Sequence, residues 1–173
     1  MKRFVSIFLL MMLLLTGCVS AGSSQNTRET DSSSDIKNSS ECFYVINGTT
    51  ITPGEDFSEA LEKLGEPLEY KEAASCYFDG MDKIYSYDGY EITTYPDGDK
   101  DCVQDICISS DAYTTTEGIT IGSSLADVTK AYGEDYELTG KMYRYFYTDD
   151  SYMYFFIMDD IVKYFGYAIN ADN

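Results

Sequence analysis

One sixteen-residue pattern occurs twice in this chain. Ile51-Thr52-Pro53-Gly54-Glu55-Asp56-Phe57-Ser58-Glu59-Ala60-Leu61-Glu62-Lys63-Leu64-Gly65-Glu66 is followed 68 residues later by Ile119-Thr120-Ile121-Gly122-Ser123-Ser124-Leu125-Ala126-Asp127-Val128-Thr129-Lys130-Ala131-Tyr132-Gly133-Glu134. Each copy reads as a short helix with a start and a stop. Asp56 and Ser124 are N-cap candidates, with Glu59 and Asp127 three residues on to close a capping box. Gly65 and Gly133 stand where a helix end needs a positive backbone angle. The apolar stripe is Phe57, Ala60, Leu61 and Leu64 in one copy and Leu125, Val128 and Tyr132 in the other. Helices of two turns are unstable alone, so each must pack on something.

The partner follows in sequence. Ile84 to Tyr87, the turn Asp88-Gly89, and Tyr90 to Tyr95 read as a tight hairpin. Pro96-Asp97-Gly98 is a second turn, and Val103 to Ser109 a third strand. After the second copy, Met142 to Thr148, Tyr152 to Met158 and Ile161 to Ile169 are strands, with turns at Asp149-Asp150 and Asp159-Asp160. Phe43 to Asn47 adds a strand before the first helix. The expected class is α+β: two repeats, 42–110 and 111–173, each a short helix followed by an antiparallel meander, with the helices on one face of the sheet.

Seventeen tyrosines, ten of them at or after Tyr113, single out the second repeat. Alternation along its strands assigns faces. Tyr152, Tyr154, Phe156 and Met158 point one way, and Met153, Phe155 and Ile157 the other. Tyr143, Tyr145 and Tyr147 oppose Met142, Arg144 and Phe146. Phe165 and Tyr167 oppose Tyr164. One face packs under the helices, which leaves a second, tyrosine-rich face. Tyrosine offers wide contact area at low entropic cost and a polar tip, so Tyr143, Tyr145, Tyr147, Tyr152, Tyr154 and Tyr164 are the candidate binding residues. The competing reading is structural, because tyrosine also favours half-buried strand positions. Solvent exposure separates the two.

The N-terminus reads as an address. Lys2 and Arg3 precede an apolar run from Phe4 to Leu15, too short for a spanning helix. Leu15-Thr16-Gly17-Cys18 closes it and resembles the bacterial lipobox, which implies cleavage after residue 17 and lipidation of Cys18. Residues 18–41 then form a tether. Eight of the 23 residues after Cys18 are serine, and such a stretch buries too little to order itself. Loss of residues 1–17 removes two positive charges, leaving 10 basic and 30 acidic residues, net −20. That charge repels anionic lipid, so the lipid anchor must hold the protein at the cell membrane, on its extracytoplasmic face. It also argues against a nucleic-acid partner.

The chain has no histidine, so Ser-His-Asp triads, Cys-His pairs and histidine zinc sites are excluded. No Walker loop or dinucleotide fingerprint occurs, and no cofactor is expected. Cys42, Cys76, Cys102 and Cys107 lack the C-x-x-C spacing of a zinc site. Two disulfides, or partly buried free thiols, remain open for them. Asp97, Asp99 and Asp101 alternate as calcium ligands do, but Cys102 and Ile108 stand where an EF-hand loop needs Gly and Glu. A solvated turn is the better reading, and no metal site is expected.

Gly122-x-Ser124-x-x-x-Val128 ahead of a small meander resembles β-lactamase-inhibitor-protein-like domains. Small outer-membrane-assembly lipoproteins of the SmpA/OmlA type carry the same element. The first copy departs from the pattern at Asp56 and Ala60. Ser75-Cys76-Tyr77-Phe78-Asp79-Gly80 through Tyr95-Pro96-Asp97-Gly98 resembles uncharacterised lipoproteins of Gram-positive gut bacteria. The inhibitor-like resemblance implies protein binding through an aromatic sheet face. The chain is thus expected to be a membrane-anchored, non-catalytic binding module for a protein or envelope component. Two alternatives stand beside this: a carboxylate-dependent envelope hydrolase, and a structural envelope protein without a discrete ligand.

Overall fold

A computed structural model of the chain describes residues 41–171. The signal segment, Cys18 and nearly all of the tether lie outside the described residues. Ten strands and two short helices follow one another. β1 (Tyr44–Ile46) and β2 (Thr49–Ile51) form a two-stranded ribbon. The turn between them places Asn47 and Gly48 at φ 51° and 80°, the paired positive angles that match a hairpin's twist. Then come α1 (Ser58–Leu64), β3 (Glu69–Ala74), β4 (Met81–Tyr87), β5 (Tyr90–Asp97) and β6 (Lys100–Ile108). α2 (Leu125–Tyr132), β7 (Glu137–Thr139), β8 (Met142–Thr148), β9 (Ser151–Met158) and β10 (Ile161–Ile169) complete the described chain. No described helix is long and apolar enough to cross a membrane.

Eight strands form a single antiparallel sheet in the order β3-β4-β5-β6-β10-β9-β8-β7. β6 and β10 join its halves, with Ile108 opposite Phe165 and Ile106 opposite Tyr167. This corrects the α+β expectation. Among the described residues the chain is predominantly β, and the two helices there have only seven and eight residues. Three strands, β2, β3 and β7, were not expected from the sequence. β3 is exposed at every position, with the sequence Glu-Tyr-Lys-Glu-Ala-Ala. Such a strand carries no alternation, and its pairing with β4 holds it extended.

The helix ends follow from their sequences. Ser124 caps α2 by accepting from the Asp127 amide, while Asp127 accepts in return from the Ser124 amide, a complete capping box. In α1 the Asp56 carboxylate accepts from the Ser58 amide at 2.9 Å, but the helix begins one residue later than the pattern implies, with Phe57 at its N-cap position. Gly65 and Gly133 close the helices at φ 77° and 87°.

Strand register sorts the side chains into two faces. Tyr85, Ile92, Ile106, Tyr167, Met153 and Tyr145 form one row across six strands, all of them buried. Both helices and the ribbon cover this inner face. Phe57 meets Tyr85 at a ring separation of 5.0 Å. Tyr44 stacks on Tyr167 at 5.3 Å. Tyr132 contacts Tyr145 at 5.5 Å and Phe155 at 5.3 Å. Phe57, Phe155, Phe165, Ile46, Ile92 and Ile106 are fully buried here, each contributing about 2 kcal/mol by leaving water. The opposite, outer face carries the rows Glu91, Cys107, Gly166, Tyr154, Arg144 and Thr93, Asp105, Ala168, Tyr152, Phe146.

Candidate functional site

The six candidate tyrosines do not share a surface. Tyr143, Tyr145 and Tyr147 lie on the inner face, packed against or within the core. The Tyr145 hydroxyl donates to the Gly133 carbonyl at 3.0 Å, tying β8 to the end of α2. The Tyr143 ring lies 4.9 Å from Tyr136. Tyr145 is buried and Tyr143 and Tyr147 are half-buried against the core, so these three lie on the face opposite Tyr152, Tyr154 and Tyr164. Docking of α2 covers the inner face at β8 and β9. Tyr152, Tyr154 and Tyr164 stand on the outer face.

There the aromatic side chains make a file. Phe146 and Tyr152 are 5.3 Å apart, Tyr152 and Tyr154 6.1 Å, Tyr154 and Tyr164 6.3 Å. Tyr164 lies flat on Phe156 at 4.7 Å with an interplanar angle of 3°. Arg144 enters this file, its guanidinium carbon 5.5 Å from the ring centres of both Phe146 and Tyr152. That distance is within cation–π range.

Tyr154 differs from its neighbours in being almost fully buried, at 5% exposure. Its ring crosses β10 at Gly166, where an added Cβ would stand 2.5 Å from the ring's Cζ and hydroxyl. The missing side chain lets the hydroxyl donate to Asp105 Oδ2 on β6 at 3.1 Å. The same hydroxyl is held between the Asp105 carboxyl and the Cys107 thiol. Burial pushes the Asp105 carboxyl up to about 7, the nearby Glu91 charge pushes the same way, and the bonds from Tyr154 and the Ile106 amide oppose it. Burial raises the Tyr154 phenol far above its ordinary range. It also pushes the Cys107 thiol up to about 11.

A groove of about 420 Å³ opens over this cluster. Tyr152, Tyr154 and Asp105 line it with Thr93, Gln104 and Asn170, and Tyr77 from the β3–β4 loop forms one wall. Stacking of Phe78 on Tyr95 at 4.3 Å holds that loop against the outer face. The groove offers rings to stack on, neutral hydrogen-bonding groups, and one carboxyl that exchanges its proton near neutral pH. The neighbouring Cys107 thiol, held at about 11, stays protonated at neutral pH and is a poor nucleophile.

Cys42, Cys76, Cys102 and Cys107 stand as free thiols, Cys42 and Cys102 buried and Cys76 exposed. Cys42 borders a smaller cavity of about 270 Å³ beside Ser151, and burial raises its thiol to about 12. Asp101 is engaged by Lys83 at 2.6 Å. Among the described residues no group of three or more acidic or cysteine side chains is placed to hold a metal ion.

Sequence reasoning missed Asp105, Gln104, Asn170 and Gly166. Two signals for the cluster were present. Gly166 interrupts an aromatic strand, which points to close approach by another group. Asp105 is the one acid between Val103 and Ile108, in a run that is otherwise mostly apolar.

No family model matches the chain, and no curated protein matches it. Its fold is similar to that of an extracellular protein containing a SCP domain from Bacillus anthracis str. Ames, with a TM-score of 0.52 and 15% identity. The likeness covers 69% of this chain and 45% of that one. At that identity it speaks for the fold alone.

Proposed function

We propose that this chain is an extracytoplasmic binding module, held at the membrane by lipid on Cys18, whose ligand docks on the outer face of the sheet. The observation that carries this reading is the aromatic file Phe146, Tyr152, Tyr154, Tyr164 and Phe156 on the face opposite both helices, with the Asp105 groove at its centre. The lipobox-like Leu15-Thr16-Gly17-Cys18 and the serine-rich tether support presentation away from a membrane. A two-carboxylate hydrolase fits less well. Such chemistry needs a pair of acids flanking the bond to be cut, and Asp105 is the single carboxyl lining the groove.

Capture of envelope components by the full chain, compared with Tyr152→Ser and Tyr77→Ser, tests the reading. Both variants should lose most of the bound material, while a Tyr143→Phe variant on the inner face should keep it. Equal capture by all four proteins would overturn the outer face as the docking surface and favour a structural envelope protein.

A further inference from the structure

We infer that the groove receives the cationic side chain, lysine or arginine, of a polypeptide partner, its charge against Asp105 and its stem against Tyr77, Tyr152 and Tyr154. This rests on the outer-face reading above and names the ligand chemistry of that site.

The face already holds one guanidinium. Arg144 lies 5.5 Å from the centres of Phe146 and Tyr152. Its Nη2 donates to Glu137 and Thr139, each at 3.2 Å. Its Nε is buried without a hydrogen-bond partner, so the rings supply much of its surroundings. The adjacent groove repeats these ingredients: Tyr77, Tyr152 and Tyr154 as rings, Asp105 as the carboxyl, and no lysine or arginine in its lining.

The groups facing the Asp105 carboxyl add no positive charge. Tyr154 and Tyr152 stand over it from β9, Cys107 lies beside it on β6, Glu91 faces it from β5 and Tyr164 from β10. Arg144 on β8 is engaged by Glu137. A guest cation therefore meets a carboxyl with no internal counter-ion. The net charge of −18 for the whole chain draws cationic partners from a distance. A neutral ligand such as an oligosaccharide would use the rings but gain nothing from the charge.

The consequence is proton-linked binding. The guest requires ionised Asp105, so binding from acidic solution releases the carboxyl proton to water, and affinity rises as pH passes through about 7.

The test uses the full chain in neutral detergent and 0.15 M salt. It is titrated with an acetylated Gly-Arg-Gly amide, the same peptide with citrulline for arginine, and chitotriose. Backbone amide shifts of Tyr154, Ala168 and Asn170 are followed at pH 5.5 and 8.0. The arginine peptide should shift these amides and bind at least tenfold more tightly at pH 8.0. Asp105→Asn should weaken it about tenfold and remove the pH dependence. Tyr77→Ala, on an exposed loop and so without risk to the core, should weaken it too. Equal binding of arginine and citrulline peptides, or unchanged affinity in Asp105→Asn, would overturn the inference. Shifts produced by chitotriose or the citrulline peptide and not by the arginine peptide would overturn the cationic ligand while leaving the outer-face reading standing. No shift with any probe would also overturn it, and the Tyr152→Ser capture experiment then judges the face separately.

Discussion

The Tyr154 hydroxyl donates to Asp105 across an intervening strand. Tyr154 belongs to β9 and Asp105 to β6, with β10 between them. The 3.1 Å bond exists because Gly166, opposite both Tyr154 and Cys107 in register, leaves room for a phenol ring to lie flat on the sheet. The glycine is selected here for space and not for a left-handed backbone angle. It turns three ordinary strand residues into an enclosed polar cluster on an otherwise aromatic face.

Gly166→Ala should therefore destabilise the fold. The new methyl would stand 2.4 Å from the Ile106 carbonyl oxygen and 2.5 Å from the Tyr154 ring, and relieving such overpacking costs about 1–3 kcal/mol. Urea unfolding followed by far-ultraviolet dichroism would measure it. Tyr154→Ala combined with Gly166→Ala should cost less than the sum of the two single losses, because the ring that the methyl displaces is then absent. A neutral single substitution would mean that the ring does not lie across β10.

Asp105 makes stability depend on pH in a direction unusual for a carboxyl. Its native pKa of about 7 stands above the unfolded value of 3.8, so the folded state holds the proton more tightly. The resulting stabilisation is full below about pH 4 and is lost as pH rises to about 7. Asp105→Asn keeps an acceptor for Tyr154 and cannot ionise. Relative to wild type, it should gain a few kcal/mol between pH 4 and pH 8, at about 1.4 kcal/mol for each tenfold difference in proton affinity between the folded and unfolded chain. Paired denaturation curves across that range report the difference. A pH-independent difference would show the carboxyl to be freely solvated.

The two helices should differ in their sensitivity to cap removal. Ser124 anchors a reciprocal box with Asp127, and Ser124→Ala should cost about 1 kcal/mol. Ser58→Ala, just inside α1, should cost less, because Asp56 reaches the backbone amide of residue 58 and not its side chain. Melting temperatures of the two variants give the comparison, and equal losses would contradict the assigned caps.

The thiols should separate by exposure. Cys76 is exposed, while Cys42 and Cys102 are 4% and 3% exposed and Cys107 is held protonated by burial. A brief maleimide pulse on the native chain should label Cys76 first among these four. Unfolding without reductant should then open the other three. Fewer than four labelled positions after such unfolding would reveal a disulfide.

Much of this architecture was legible in local pattern. Strict alternation from Tyr152 to Met158 placed Tyr152 and Tyr154 on one face and Met153 and Phe155 on the other, because a strand's period of two needs no tertiary knowledge. Ser124 and Asp127 announced the start of α2 through spacing alone. The edge strand β3 was not legible, since exposed Glu69, Lys71 and Glu72 carry no periodic signal and only β4 defines the strand. Nor was the fate of the tyrosines. Which face α2 covers is decided by docking, and that docking put Tyr145 in the core and Tyr143 and Tyr147 against it while leaving Tyr152 and Tyr164 outside. The Asp105 groove depends on three strands meeting at Gly166, a contact between residues about 50 to 60 positions apart on one side and 12 on the other.

Fluorine NMR of the full chain carrying 3-fluorotyrosine tests the outer face as the binding surface most directly. On titration with the arginine peptide, the resonances of Tyr77, Tyr152 and Tyr154 should move while those of Tyr143, Tyr145 and Tyr147 stay in place. Movement of the inner three with the outer three unchanged would contradict the account.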